Sequence, residues 1–173
     1  ADYDIESLMI QDGSMGFAEG EADAFINGNG VKKPRGIMSQ TFAYTGDNSR
    51  AWGEVQKIKT GVNGGFAAAG QADKLLDMAC GLRAIYQAKA VWGMNRFTLA
   101  EVMKLKDDTG NYIFLQGFNL QTGAFGTLLG HPVDASFDHM ADIATSSLSI
   151  IYGDLGAAYQ IADRRGISIV RDN

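Results

Sequence analysis

Ala90-Val91-Trp92-Gly93-Met94-Asn95-Arg96-Phe97-Thr98-Leu99 runs almost without slack into Leu105-Lys106-Asp107-Asp108-Thr109-Gly110-Asn111-Tyr112. Val91-Trp92-Gly93-Met94 shows no polar alternation, the pattern of a strand covered on both faces. Thr98 and Glu101 have the spacing of a capping box, in which each side chain closes a free amide of the other residue. Phe97 before that cap and Val102 after it have the spacing of a hydrophobic staple. Lys104 and Lys106 suit the negative end of the helix dipole. Asp107-Asp108-Thr109-Gly110 then turns the chain into a predicted strand at Tyr112-Ile113-Phe114. These pieces offer no nucleophile, metal cluster or phosphate loop, so the stretch reads as scaffold.

Upstream, residues 72–88 are predicted to form one amphipathic helix with the stripe Leu75, Met78, Ala79, Leu82, Ile85 and Tyr86. Cys80 falls on its less apolar side and is read as a buried structural thiol, the usual state of a lone cysteine. Gly61-Val62-Asn63-Gly64-Gly65 breaks the chain before this helix, and a domain boundary is placed near Phe66. Short strands are predicted at Gly36-Ile37-Met38, Phe42-Ala43-Tyr44 and Val55-Gln56-Lys57-Ile58-Lys59, with a polar turn at residues 45–49.

Residues 5–27 read as one helix. Leu8, Met15, Ala18, Ala22, Phe25 and Ile26 make one apolar stripe, and Ile10 and Phe17 lie on another side. Asp12, Glu19 and Asp23 share a third face; Gly13, Gly16 and Gly20 share a fourth. Each internal glycine costs about 1 kcal/mol relative to alanine, so packing must hold this helix. Two apolar lines and a glycine face are more contact surface than one small core needs, which leaves burial within the domain or contact with neighbouring chains as its use. Asn27-Gly28-Asn29-Gly30 is a helix stop. It follows a helix instead of a strand, which argues against a phosphate loop.

Downstream, strands are predicted within Leu128-Leu129-Gly130-His131-Pro132-Val133 and at Ser149-Ile150-Ile151-Tyr152. A hairpin is predicted between Tyr159-Gln160-Ile161-Ala162 and Ile167-Ser168-Ile169-Val170 across Asp163-Arg164-Arg165-Gly166. Helices mixed with hairpins give the α+β class.

The 173 residues allow one ordinary domain or two small ones. With 46% hydrophobic residues, 20% charged residues and two prolines, a packed core is expected and global disorder is not. Fifteen Lys and Arg against twenty Asp and Glu leave a formal charge of −5 and a pI of about 4.9. The basic runs, Lys32-Lys33-Pro34-Arg35 and Arg164-Arg165, are short and read as solvated turns, not as the clustered surface of a nucleic-acid binder. A single cysteine allows no internal disulfide and suits a reducing compartment. No apolar run reaches the length of a membrane span, and no secretory signal is read at the start. Beginning at alanine, in an acidic and helix-compatible run, the sequence reads as a processed or truncated product.

His131 and His139 are the two histidines, with Asp134 and Asp138 between them. Their spacing is not that of a zinc motif. No Gly-x-Ser-x-Gly elbow is present, and the paired carboxylates Asp107-Asp108 and Glu19/Glu21 fall in a turn or on a helix surface. No catalytic, cofactor-binding or metal residue is assigned, no cofactor is implied, and an enzyme is not expected.

Four segments in order resemble the major capsid proteins of tailed bacteriophages and prophages. Phe25-Ile26-Asn27-Gly28-Asn29-Gly30-Val31-Lys32-Lys33-Pro34-Arg35-Gly36-Ile37-Met38 is similar to the family's turn after its long spine helix. Ala90-Val91-Trp92-Gly93-Met94-Asn95-Arg96 resembles its central strand, and Leu105-Lys106-Asp107 with Gly110-Asn111-Tyr112 the turn that follows. Leu128-Leu129-Gly130-His131-Pro132-Val133, Ile151-Tyr152-Gly153-Asp154 and Asp163-Arg164-Arg165-Gly166-Ile167 resemble its closing strands. The resemblance implies the tailed-phage major capsid fold. Residues 1–66 would be part of the peripheral (P) domain, with the spine helix at 5–27, and residues 67–173 most of the axial (A) domain. It implies a structural protein that self-assembles through pentamers and hexamers into an icosahedral shell around double-stranded DNA. Contact with that DNA would not be sequence-specific. Scaffold and portal proteins are further partners that the resemblance allows, with no membrane. The protein would be a virion capsid component assembled in the bacterial host cytoplasm.

By the same resemblance, the N-terminal arm, the E-loop and the extreme C-terminus would lie outside this sequence, and a chain without them should assemble poorly. No crosslinking residue is carried over. Two alternatives stand beside this reading. One is an encapsulin-like nanocompartment shell protein, which shares the fold and encloses enzymes. The other is a small α+β ligand-binding or enzyme domain, resting on the glycine turns and on His131 and His139.

Overall fold

A computed structural model describes residues 5–68, 70, 72–107, 109–114 and 126–162. The first element is the helix α1 (Ile5–Asn27), which ends at the residue expected from the sequence. It ends where the next turn folds back against it. The Gly28 N–H donates to the Ala24 carbonyl at 2.9 Å, and the Gly36 N–H donates to the Gly28 carbonyl at 2.8 Å. A Cβ on Gly28 would lie 2.1 Å from the Pro34 carbonyl oxygen, and one on Gly36 would lie 2.3 Å from that of Ile26. Glycine at both positions is therefore what allows the turn to close on the helix end.

Gly36-Ile37-Met38 is not a strand. Residues Ile37–Ser39 form a 3-10 turn whose last amide returns to the Gly36 carbonyl at 3.1 Å, so these residues cannot join a ladder. The next two strands are short and pair in parallel: β1 (Thr41–Ala43) and β2 (Glu54–Gln56). The Gly61–Phe66 stretch is more ordered than a chain break. It forms an antiparallel hairpin, β3 (Gly61–Val62) with β4 (Gly65–Phe66).

The helix predicted over 72–88 is two helices, α2 (Asp73–Gly81) and α3 (Ala84–Gln87). Leu82 and Arg83 take extended backbone angles between them. Gly81 weakens the α2 end, and the displaced Arg83 forms an ion pair with Asp47. The break divides the predicted stripe. Leu75 is buried, with Met78 and Ala79 packed on the core, whereas Ile85 is 79% exposed. Cys80 is exposed, not buried, because it lies off the Leu75–Met78–Ala79 face that meets the core.

The centre is a four-stranded sheet in the order β6-β7-β5-β8, comprising β5 (Val91–Met94), β6 (Thr127–Leu128), β7 (His131–Asp134) and β8 (Ile150–Gly153). As expected for a strand covered on both faces, β5 is internal, parallel to β7 and antiparallel to β8. Gly93 is opposite Ile151, and a Cβ there would come within 2.7 Å of Ile151 Cγ2 and 3.1 Å of the Phe137 ring. Trp92 is fully buried; its ring packs on Tyr152 at 4.2 Å and its Nε1 donates to the Leu128 carbonyl at 2.9 Å. β6 and β7 form a hairpin across Leu129-Gly130, both at positive φ, the geometry that matches strand twist.

Helix α4 (Arg96–Met103) starts three residues earlier than the capping box predicts. Asn95 is its cap: Oδ1 accepts the Thr98 N–H at 2.7 Å. Thr98 is thus inside the first turn and fully buried, and Phe97 is 74% exposed and cannot form the staple. With Asn95 as cap, the residue before it is Met94 and the fourth helical residue is Leu99. Both are buried in the same cluster, which is the staple arrangement. That cluster joins Leu75, Trp92, Met94, Leu99, Val102, Leu105, Leu128 and Ala135.

After α4, Tyr112-Ile113-Phe114 makes an isolated bridge, Lys106 to Tyr112, instead of a strand. Asp107 occupies the turn's hydrogen-bond capacity by accepting from the amides of Thr109 and Asn111 at 2.9 and 2.8 Å. A short final helix, α5 (Leu155–Ala158), is capped by Asp154. Residues 159–162 are not a strand; the predicted hairpin partner, 167–170, and its turn lie outside the described residues.

Candidate assembly surface

Among the described residues, α1 carries a long exposed apolar surface. Its last turn is anchored: Ile26 is buried, and Asn27 Nδ2 donates both to Asp23 Oδ1 at 2.9 Å and to the His139 carbonyl at 2.8 Å. Phe25 meets Tyr159 edge-on at 6.3 Å, and the Tyr159 hydroxyl donates to the Arg35 carbonyl at 3.1 Å. Before that turn, residues 7–22 are all exposed. Met9 at 69% and Phe17 at 61% are on this length, with Ile5, Leu8, Ile10 and Met15 also exposed. These side chains lie around the helix instead of along one buried stripe. A Cβ added to Gly13, Gly16 or Gly20 would meet nothing within 4 Å. An exposed, glycine-weakened helix with apolar residues on several sides is not stabilised by its own core.

Gly20, Phe17 and Phe25 also form one wall of a groove of about 470 Å³, closed on the other side by Pro34, Tyr159 and Ile161. Lys32 and Lys33 stand at the rim. Further exposed apolar residues are Trp52, Ile85 and Phe97, in a loop and on α3 and α4. The sequence placed Ile85 and Phe97 in packing roles; their exposure follows from the break after Gly81 and from the earlier start of α4.

Among the described residues, Arg50, Arg83, Lys74 and Lys104 form ion pairs with carboxylates. Asp47 binds Arg50 at 2.7 Å and also Arg83. Lys74 pairs with Asp77 and Lys104 with Glu101. The hydrogen bond to Asp77 raises the Lys74 ammonium above its ordinary value, and the hydrogen bonds from Thr109 and Asn111 hold Asp107 below the ordinary carboxylate value. Lys57 and Lys59 are different. Both ammonium groups lie 4.3 Å from the centroid of the Tyr44 ring. Their i, i+2 spacing on an extended segment is the sequence signal for this cluster.

The two histidines go to different neighbours. His131, in β7, stands edge-on to Tyr152 at 5.4 Å. His139 Nδ1 is 4.0 Å from Asp23 Oδ1, against the end of α1. Among the described residues, no three His, Cys, Asp or Glu side chains gather as metal ligands would. Burial raises the Tyr152 hydroxyl, and Cys80 adds to the shift; a phenol held neutral in this way is a packing group. Among the described residues no helix is long and apolar enough to cross a membrane.

The phage capsid family's sequence model matches residues 1–173. A solved structure titled as the capsid of a native GTA particle computed with C5 symmetry is similar, with 36% identity and a TM-score of 0.78, covering 89% of this chain and 55% of that one. A second, titled as the capsid of an empty GTA particle computed with C5 symmetry, has 35% identity and a TM-score of 0.79, covering 89% of this chain and 51% of that one. The chain therefore spans about half the length of the capsid chains it matches. No curated protein matches it. The chain belongs to the phage capsid family and has its α+β fold.

Proposed function

We propose that this member of the phage capsid family is a structural, non-enzymatic subunit that associates with copies of itself to build a closed shell. The observation that carries the reading is α1. Residues 7–22 are exposed, with apolar side chains on several sides and open glycines. Such a surface is stable only when something covers it, and in a closed particle the same patch is covered on every copy. Family membership and the two solved capsids, one native and one empty, support the same conclusion.

The finer reading is an icosahedral shell of pentamers and hexamers around double-stranded DNA, with scaffold and portal proteins as further partners and assembly in the host cytoplasm. An acidic chain with a formal charge of −5 does not condense DNA through phosphate neutralisation, which supports a shell that encloses DNA without reading its sequence. We also propose a division near Phe66 into a peripheral part led by α1 and an axial part built on the central sheet.

The test is electron microscopy of full-length protein expressed with its native flanking genes. Closed particles containing nucleic acid support the reading. Particles filled with enzyme would give the nanocompartment alternative, and protein that stays monomeric at every salt and protein concentration would overturn it.

A further inference from the structure

On the exposed length of α1, Asp12 and Glu19 share one face two helical turns apart, about 10 Å along the axis, with the apolar stripe of Leu8 and Met15 beside it. None of the ion pairs or side-chain hydrogen bonds among the described residues uses Asp12 or Glu19. Elsewhere, Tyr44 follows β1, and Lys57 continues β2 through its amide, which donates to the Ala43 carbonyl at 2.8 Å. Lys57 and Lys59 share one face of this segment and place both ammonium groups against the Tyr44 ring. The two cations are therefore no more than twice 4.3 Å apart. Neither forms an ion pair with a carboxylate among the described residues.

The ring quadrupole attracts each cation but does not cancel the repulsion between them. Two cations held this close form a preorganised receptor for two negative charges, and α1 presents two carboxylates on flexible side chains that can converge on it. Within one molecule they are not joined. We propose that the Tyr44–Lys57–Lys59 platform of one copy receives the Asp12–Glu19 face of α1 from a second copy, with Met15 covered alongside the Tyr44 ring.

This contact joins two different patches, so it is heterologous. It propagates from copy to copy and closes into rings when the rotation allows. The inference rests on the shell reading and supplies one of the contacts that reading requires.

The test is charge reversal in the full-length protein, with particle formation followed by light scattering and electron microscopy. Lys57→Glu with Lys59→Glu should raise the protein concentration needed for assembly roughly tenfold, as should Asp12→Lys with Glu19→Lys. Combining all four changes in one chain should restore assembly, which a misfolded variant would not do. The wild-type requirement should also rise with salt. Lysine variants that assemble like the wild type, or defects that the combined charges do not rescue, overturn this contact and leave the shell reading standing. Lysine variants that assemble normally but lose affinity for duplex DNA reassign the platform to nucleic acid. A wild-type protein that never associates overturns the shell reading itself, and this contact with it.

Discussion

The indole Nε1 of Trp92 donates to the carbonyl oxygen of Leu128 at 2.9 Å, a bond that reaches from β5 across β7 to the edge strand β6. With Tyr152 packed on the same ring, one side chain holds three strands in place. Trp92→Phe keeps an aromatic ring but loses this donor and part of the packed volume. It should lower unfolding free energy by about 2–3 kcal/mol, and Trp92→Ala by about 3–5 kcal/mol, in urea titrations.

Asn95 serves two elements at once. Its Oδ1 caps α4, and its Nδ2 donates to the Met140 carbonyl at 2.9 Å and to Asp142 Oδ1 at 2.6 Å. Asn95→Ala should cost about 2–4 kcal/mol, the sum of a lost cap and a stranded buried carbonyl. Asn95→Asp keeps the cap but loses both donors and faces the Asp142 carboxylate. Its cost should equal or exceed that of alanine at neutral pH and shrink in acid, as one of the two carboxyls takes a proton. Equal effects at both pH values would show that Asp142 is not a partner.

Glycines distinguish the core from the proposed assembly surface. Gly93→Ala should destabilise by about 1–3 kcal/mol, because Ile151 and Phe137 must move to admit the methyl group. Gly16→Ala meets no neighbour, so helix propensity alone acts and α1 should gain about 1 kcal/mol. Circular dichroism and amide exchange of the two variants should change in opposite directions.

Asp107 gives the acid response of its turn. The Thr109 and Asn111 hydrogen bonds lower its folded carboxyl below the usual value of 3.8. The stabilisation is therefore complete above the unfolded value and is lost as pH falls through the lower folded value. Asp107→Asn should remove that part of the acid dependence. The carboxyl's own titration, followed by NMR, should lie below that of a peptide aspartate.

Exposure of Cys80 is directly measurable. A thiol reagent should label it in the native protein nearly as fast as in the unfolded chain. Slow labelling would return it to the buried role expected from its type.

Much of the fold was legible from periodicity. The C-terminal end of α1 at Asn27 and the covered strand at Val91–Met94 follow from patterns that local physics enforces. What sequence alone missed depended on choices between close alternatives. Asn95 and Thr98 are both good caps, and the partners Met140 and Asp142, more than forty residues away, decide for Asn95. The apolar stripe through Ile85 continues past Gly81, but Leu82 and Arg83 take extended backbone angles and turn the chain where the stripe would have carried on. The proposed assembly surface was legible on α1 as excess apolar area. The Tyr44–Lys57–Lys59 cluster was not, because it needs the parallel pairing of β1 with β2 to bring its members together.

The central claim is that the exposed length of α1 is an interface between copies. Amide exchange and methionine oxidation over residues 7–22, with Met9 and Met15 as reporters, should be compared between dissociated subunits and assembled particles. Fast exchange and ready oxidation are expected in the free subunit, and strong protection from both in the particle. Equal reactivity in the two states would contradict that claim.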